Sequence, residues 1–137
     1  MENTNDFCTG RYCVFAMHVH LVFVTTYRRK VLSAAAHETL RELLTRICED
    51  FAARLLASNG ADDHVHLLVA YPPKVAIAKL VNSLKGVSSR RLRLWHPEMA
   101  QRYYQGVLWS SSYCAASCGG APLSIIRQYV EHQRQNL

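Results

Sequence analysis

The stretch His64-Val65-His66-Leu67-Leu68-Val69-Ala70-Tyr71, closed by Pro72-Pro73, decides the fold. It is short and apolar and ends at two prolines, which a central strand does not tolerate, so it is predicted to be a strand. Residues 12–26 are rich in β-branched and aromatic residues and are predicted to form the first strand. Residues 106–115 are predicted to form the last strand. The chain therefore carries strands in its first half, its middle and its last third.

Two amphipathic helices are predicted between these strands. Residues 34–57 carry apolar side chains at spacings of three and four, which is typical of a helix, and the helix is expected to end near Phe51. Residues 54–58 are then expected to begin another strand, and Asn59-Gly60 is a strong turn signal. The second helix is predicted over residues 74–94.

The order of elements predicts the architecture. A terminal helix over residues 123–135 is expected after Gly119-Gly120, with Pro122 in its first turn. Residues 1–10 are expected to be a loose tail. The order βαββαβ predicts an α+β, ferredoxin-like antiparallel sheet with two helices on one face and an added C-terminal helix. No repeat or linker divides the chain, so residues 1–137 are predicted to be one domain.

Composition excludes several classes of protein. The chain has 137 residues, of which 50% are hydrophobic and 19% charged, as in an ordinary globular domain rather than a disordered chain. No apolar run approaches the roughly 18 residues of a membrane span, so no membrane partner is expected. The polar, acidic start is unlike a secretory signal, and the five cysteines are scattered. We therefore expect a cytoplasmic protein with reduced thiols.

The distribution of charge suggests a polyanionic partner. Sixteen basic residues against ten acidic ones give a net charge of +6, which alone is weak evidence for nucleic acid. No acidic residue occurs between His64 and Pro97, whereas a solvated helix face usually mixes both signs. The basic residues of this segment are Lys74, Lys79, Lys85, Arg90, Arg91 and Arg93.

Two His-x-His pairs are candidates for a metal site. His64 and His66 lie two residues apart on a strand, so their side chains share one face and can bind one ion. The alternative is a pair of partly exposed strand histidines without a ligand. His18 and His20 have the same spacing in the first strand, and spacing alone does not choose between the pairs. In a ferredoxin-like sheet the two strands are neighbours, so both pairs are expected near one site.

Tyr129 and Gln133 share one face of the terminal helix because they lie four residues apart. Tyr129 is either a packing tyrosine or a nucleophile, which needs a base or a metal-polarised electrophile to react at neutral pH. A set of two histidines and one glutamine can hold a divalent cation such as Mg²⁺, Mn²⁺ or Zn²⁺ with open positions. Such an ion polarises a phosphoryl oxygen.

Two basic segments are candidates for contacts with nucleic acid, although each can also be an ordinary solvated edge. Arginine side chains bind phosphates in a fork, and Tyr27, Trp95 and Trp109 are candidate platforms for unpaired bases. Cys114 and Cys118 lack a second pair that would complete a metal clip, and are expected to be packing residues. The candidate DNA-binding residues are Tyr27, Arg28, Arg29, Lys30, Lys85, Ser88, Ser89, Arg90 and Arg91.

These segments together resemble the small single-tyrosine HUH transposases of bacterial insertion sequences, the TnpA type. The resemblance runs in order from about His20 to Gln133. It selects His64 and His66 over the earlier histidine pair, and Asp63 fits its pattern. Thr26 departs from it, because family members often have lysine there. The matching segments are residues 27–32, 63–68, 85–90, 108–109, 119–123 and 127–133.

The resemblance implies an enzyme that cleaves and rejoins single-stranded DNA at the ends of an insertion sequence, in a bacterial or archaeal cytoplasm. Tyr129 is implied to form a 5′-phosphotyrosine link, with Mg²⁺ or Mn²⁺ held by His64, His66 and Gln133. The implied partners are single-stranded DNA with subterminal hairpins and a second copy of the chain, whose tyrosine helix acts in trans through the Gly119-Gly120 hinge.

Two other functions stay open from the residues alone. A domesticated or inactive hairpin-binding protein of the same fold keeps the basic surface without strand transfer. A metal hydrolase with a water nucleophile leaves Tyr129 without a role and forms no covalent DNA adduct.

Overall fold

The fold is built from a small number of well-defined elements. The computed structural model describes residues 8–9, 14–15, 17–103 and 107–117. Its strands are β1 (Cys8–Thr9), β2 (Val14–Phe15), β3 (His18–Val24), β4 (Arg54–Ala61), β5 (His64–Ala70) and β6 (Cys114–Ser117). Its helices are α1 (Ala34–Asp50), α2 (Ile77–Trp95) and the short α3 (Pro97–Ala100), with a 3₁₀ turn over Thr26–Arg28.

Four strands form one antiparallel sheet in the order β4-β5-β3-β6. Taken along the chain, β3-α1-β4-β5-α2-β6 is the predicted βαββαβ order, and the two central strands are the first and third of the motif. The predicted four-stranded antiparallel sheet with two main helices is confirmed. The C-terminal helix predicted over 123–135 and Gly119-Gly120 lie outside the described residues.

The alternation of side chains gives the sheet two different faces. Val19, Leu21 and Phe23 of β3 are buried in the main core together with the apolar sides of α1 and α2. Because neighbours along a strand point to opposite faces, the intervening residues of β3 and β5 lie on the face away from the helices. That second face carries His18, His20, His64 and His66, together with the small buried cluster of Val22 and Val24.

Each main helix buries one stripe of side chains. α1 begins at the cap residue Ser33, whose hydroxyl accepts a hydrogen bond from the Ala36 amide at 3.1 Å. It ends at Asp50, near the expected Phe51, and Ala52 then takes a left-handed conformation with φ 57°. α2 begins three residues later than predicted, because Lys74, Val75 and Ala76 still belong to the loop after the prolines.

Three predictions about the first two-thirds of the chain are wrong. One strand was predicted over residues 12–26, but the regular strand in this range is β3, His18–Val24. All seven of its residues pair with the seven residues of β5. Part of the predicted tail, Cys8–Thr9, pairs with Val14–Phe15. Asn59-Gly60 is not a turn: it lies within β4 opposite His66 and Val65, and the turn falls at Asp62-Asp63.

The last strand is also displaced from its predicted position. Trp109 makes only an isolated bridge to Thr25, and the regular strand is Cys114–Ser117. The ammonium of Lys85 binds the carbonyl oxygens of Ser110 and Ser112, which holds this segment as a loop. Among the described residues, no helix is long and apolar enough to cross a membrane.

Candidate metal and nucleic-acid site

The pair His64 and His66 opens β5 with its rings side by side. The two ring centroids are 6.1 Å apart and the ring planes differ by 20°. Both residues are half-buried on the sheet face opposite α1 and α2. Two parallel imidazoles at this spacing can turn one nitrogen each toward a common ion, as the sequence predicted.

The turn before β5 adds a carboxylate to this pair. Asp63 is 5% exposed, and its Oδ1 lies 2.9 Å from Nδ1 of His64. Its other oxygen, Oδ2, accepts a hydrogen bond from Nε of Arg28 at 2.8 Å and lies 2.8 Å from Nη2 of the same guanidinium in an ion pair. The backbone carbonyl of Asp63 accepts from the amide of Thr25 at 2.9 Å, so the end of β3 and the turn are joined.

The surroundings favour a charged carboxylate and a neutral imidazole. Burial by itself raises the pKa of Asp63, but the hydrogen bonds from His64 and Arg28 and the arginine charge outweigh it and lower that pKa. Burial lowers the pKa of His66, and the nearby rings of His64 and His20 lower it further. A neutral imidazole is the form of histidine that binds metal ions.

The second histidine pair lies close to the first but does not complete it. His20 stands opposite Leu68 on the neighbouring strand and contributes to the pKa shift of His66, so the expected proximity is confirmed. Across residues 17–103 and 107–117, no three His, Cys, Asp or Glu side chains converge on one ion. Two imidazoles with a fixed carboxylate behind one of them fit a divalent cation that takes further oxygen ligands. Tyr129 and Gln133 lie outside the described residues.

The segment Tyr27-Arg28 turns one side chain outward and the other inward. Both residues are left-handed, with φ of 55° and 52°, a conformation that costs a non-glycine residue roughly 1 kcal/mol or more. Tyr27 is 52% exposed, and Arg29 and Lys30 are exposed as expected for contacts with a ligand. Arg28 instead has 11% of its side chain exposed and faces Asp63, so the structure does not present it to a phosphate.

The end of α2 presents a basic and aromatic surface. Arg90 and Arg91 are exposed, and the guanidinium carbon of Arg91 lies 6.0 Å from the ring centre of Trp95, which is half exposed. Ser89 is half-buried, and its carbonyl lies 3.5 Å from the hydroxyl of Tyr103. Guanidinium groups beside an open indole ring suit a phosphate next to an unpaired base.

Three candidates for DNA contact turn into the protein instead. Lys85 donates to Ser110 O at 2.7 Å, and burial lowers its pKa. Ser88 is fully buried, donates to the carbonyl of Lys85 and accepts a hydrogen bond from Nε1 of Trp109 at 3.0 Å. Trp109 is only 4% exposed and packs on Phe23, so it is not a platform for bases. Their position inside the helix–loop contact makes these groups structural.

The ion pair between Arg28 and Asp63 is the feature that sequence reasoning missed. Arg28 follows β3 and Asp63 precedes β5, so the two residues are 35 positions apart. No helical or strand periodicity connects residues at that distance. The only signal was the acidic residue placed directly before the histidine pair in a basic chain.

Comparisons with known proteins identify the family of this chain. A family profile described as Transposase IS200 like matches residues 13–133. The ISDra2 transposase TnpA of Deinococcus radiodurans is 32% identical over 124 residues, which make up 90% of this chain and 89% of the relative. The transposase for insertion sequence element IS200 of Salmonella typhimurium is 28% identical over 114 residues, or 83% of this chain and 74% of that one.

Solved structures share the same fold. The crystal structure of a protein from Deinococcus radiodurans R1 matches with a TM-score of 0.83 at 33% identity, over 92% of this chain and 97% of that chain. A REP-associated tyrosine transposase bound to a REP hairpin matches with a TM-score of 0.58 at 13% identity, over 93% and 74% of the two chains. The second match shows a common fold only. Because the profile and the relatives cover most of the chain, this protein belongs to the IS200-like transposase family.

Proposed function

We propose that this transposase cleaves and rejoins single-stranded DNA at insertion-sequence ends through a 5′-phosphotyrosine on Tyr129. The observation that carries the proposal is the histidine pair on the sheet face opposite α1 and α2, with rings 6.1 Å apart and a buried carboxylate behind His64. Membership of the family supports the reaction class. The identity of Tyr129 as nucleophile rests on its place in the resemblance.

The metal ligands in this proposal are His64, His66 and Gln133. The two histidines lie on one strand and are positioned before any ligand arrives, whereas the glutamine comes from the terminal helix of the same or a second copy. Bound Mg²⁺ or Mn²⁺ would polarise the scissile phosphate, which is worth several kcal/mol in the transition state. The lowered pKa of His66 favours the neutral imidazole, in which one ring nitrogen has a lone pair for the ion.

The chemical steps need no external energy source. The phenol oxygen of Tyr129 attacks the scissile phosphorus and forms a new P–O bond. The bond between phosphorus and the 3′-oxygen breaks at the same time, and the DNA strand leaves with a 3′-hydroxyl. The 3′-hydroxyl of another cleaved end then attacks the phosphotyrosine, and the new phosphodiester forms as the tyrosine leaves. One ester bond is exchanged for another at each step, so neither water nor a nucleoside triphosphate is consumed.

The proposed DNA-binding surface contains fewer residues than the sequence suggested. We assign it to Tyr27, Arg29 and Lys30 beside β3 and to Arg90 and Arg91 on α2, which are exposed. Ser89 is half-buried and keeps its place at the border of this surface. Single-stranded DNA with subterminal hairpins is the proposed substrate, and a homodimer with the tyrosine helices in trans is the proposed assembly.

The proposal is tested by trapping the covalent intermediate. The protein is incubated with Mg²⁺ and labelled single-stranded DNA that carries its element's end, and the products are separated on a denaturing gel. We expect a protein–DNA band for the wild type and none for Tyr129→Phe, with hairpin binding unchanged. An adduct that persists in Tyr129→Phe excludes Tyr129 as the nucleophile. Hairpin binding without an adduct, with Mg²⁺ and Mn²⁺ both tried, indicates the alternative of an inactive hairpin-binding protein.

A further inference from the structure

Arg28, Asp63 and His64 form a chain of hydrogen bonds that ends at the proposed metal site. Nε and Nη2 of Arg28 both lie 2.8 Å from Oδ2 of Asp63, and Oδ1 of Asp63 lies 2.9 Å from Nδ1 of His64. The two carboxylate oxygens are thus divided between two partners. Each partner holds a different side of one buried group.

This division determines where His64 carries its proton. A guanidinium has only donors and a carboxylate has only acceptors, so the contact at Oδ1 must be supplied with a hydrogen by Nδ1 of His64. In the neutral ring the other nitrogen, Nε2, then keeps its lone pair. That nitrogen is the one left to bind an ion.

The contact between Arg28 and Asp63 is accompanied by an unusual local conformation. Arg28 follows Tyr27 in a left-handed pair after β3, and its Nη1 is buried with no hydrogen-bond partner among the described residues. A buried donor without a partner costs free energy. A side chain selected only for binding phosphate at the surface needs neither the left-handed backbone nor the burial. Functional constraint is a common reason for such strain.

We propose that Arg28 and Asp63 are positioning residues that hold His64 in its Nδ1–H tautomer, with Nε2 presented to the catalytic divalent cation. This inference rests on the proposed function, because it takes His64 as a metal ligand. It replaces the phosphate contact that the sequence suggested for Arg28. Arg29, which is exposed, remains with the DNA-binding surface.

The substitution Asp63→Asn gives a sharp test because Arg28 dictates how the new amide is turned. Arg28 can only donate, so the amide oxygen of the asparagine must face it, and the amide NH₂ must face His64. The NH₂ donates to Nδ1, which moves the ring proton to Nε2 and blocks the metal-binding nitrogen. Removing Arg28 as well, in Arg28→Met/Asp63→Asn, frees the amide to turn its oxygen back to His64.

The first measurement is the tautomer in the metal-free, full-length protein. Long-range ¹H–¹⁵N correlation spectra of ¹⁵N-histidine-labelled protein are recorded at pH 8, well above the range in which free histidine titrates. We expect the Nδ1–H form of His64 in the wild type, the Nε2–H form in Asp63→Asn, and a return toward Nδ1–H in the double variant. The Nε2–H form in the wild type overturns the inference without any variant having to fold.

The second measurement is Mn²⁺ affinity, from the electron paramagnetic resonance signal of the free ion. We expect Asp63→Asn to bind Mn²⁺ about 10–100-fold more weakly, the usual loss when the partner of a ligating histidine is changed. The double variant should bind more tightly than Asp63→Asn alone. If Arg28 and Asp63 serve only stability, the double variant binds as weakly as Asp63→Asn or more weakly, and the inference is wrong.

Two control variants separate this inference from the proposed function. His64→Ala should lose Mn²⁺ binding; if it binds as the wild type does, the metal assignment fails, while the tautomer spectra still test the hydrogen-bond chain. Arg29→Gln removes a neighbouring charge and should leave both the tautomer and the Mn²⁺ affinity unchanged. A changed tautomer or a loss of Mn²⁺ binding in Arg29→Gln would show a general effect of charge and overturn the inference.

Discussion

At the scale of single residues, burial decides which groups stay neutral. His20 and His66 lie on the sheet face opposite α1 and α2, and burial lowers the pKa of both rings. Cys48 is fully buried in the core, where burial together with the charge of Glu49 raises its pKa to about 12. The Cys48 thiol is therefore an unreactive packing group, whereas the two imidazoles favour their neutral form.

The lowered pKa values predict a loss of stability in mild acid. The unfolded chain takes up protons at His20 and His66 near pH 6.5, but the folded chain resists them until a lower pH. The stabilising contribution is therefore complete above pH 6.5 and is lost as the pH falls through the folded pKa values. Urea unfolding in EDTA should give a smaller free energy of unfolding at pH 5.5 than at pH 7.5. The double variant His20→Gln/His66→Gln should reduce this difference, and an unchanged difference would show that other groups cause it.

At the scale of elements, the hairpin β4–β5 places the histidine pair through a close backbone contact. Gly60 lies opposite Val65, and a Cβ at Gly60 would lie 2.3 Å from the carbonyl oxygen of His64 and 2.9 Å from Cα of Val65. Both atoms belong to the backbone and cannot turn away. The glycine that looked like a turn signal is needed for this approach of the two strands.

Two glycine substitutions should therefore have opposite effects. Gly60→Ala should lower the free energy of unfolding by about 2 kcal/mol or more, because the backbone of β5 must shift. Gly86→Ala is the matched control: the new methyl group meets only the flexible end of Arg90, at 3.4 Å. In the interior of α2 it should stabilise by about 0.5–1 kcal/mol. Chemical denaturation measures both, and a neutral Gly60→Ala would contradict the close contact.

At the scale of the whole molecule, charge and packing divide the basic residues into two groups. Arg90 and Arg91 extend from the exposed side of α2, whereas Lys85 on the same helix fixes the loop that precedes β6. The net charge of +6 therefore overstates the surface available to a polyanion. Among the described basic residues, exposed groups such as Arg90 and Arg91 can exchange counterions with DNA, whereas Lys85 is held by the loop.

This division predicts two separable defects. Arg90→Gln/Arg91→Gln should weaken binding of single-stranded DNA and reduce the slope of log affinity against log salt by about 1.4, for two contacts of roughly 0.7 each. Its thermal stability should stay close to that of the wild type. Lys85→Met should keep the salt slope but lower the free energy of unfolding by about 1–3 kcal/mol, because two carbonyls lose their donor. A larger reduction of the salt slope in Lys85→Met than in Arg90→Gln/Arg91→Gln would contradict this assignment.

Much of this protein is determined locally and could be read from the sequence. The apolar stripes of α1 and α2, the alternation in β3 and β5 and the order of elements specify the ferredoxin-like sheet, because these patterns depend on residues close together in the chain. The shared face of His64 and His66 follows from the same alternation. Errors occurred where a local signal had a nonlocal cause, as at Gly60 and at the displaced strand β6.

Only the tertiary structure decided what the polar residues do. Arg28, Lys85 and Ser88 are the same residue types as the exposed DNA-binding candidates, and no sequence pattern separates them. They turn inward because their partners, Asp63, Ser110 and Trp109, arrive from distant parts of the chain. Hydrogen bonds to buried groups are directional and bring together residues 21 to 35 positions apart, so the fold must be complete before they can form.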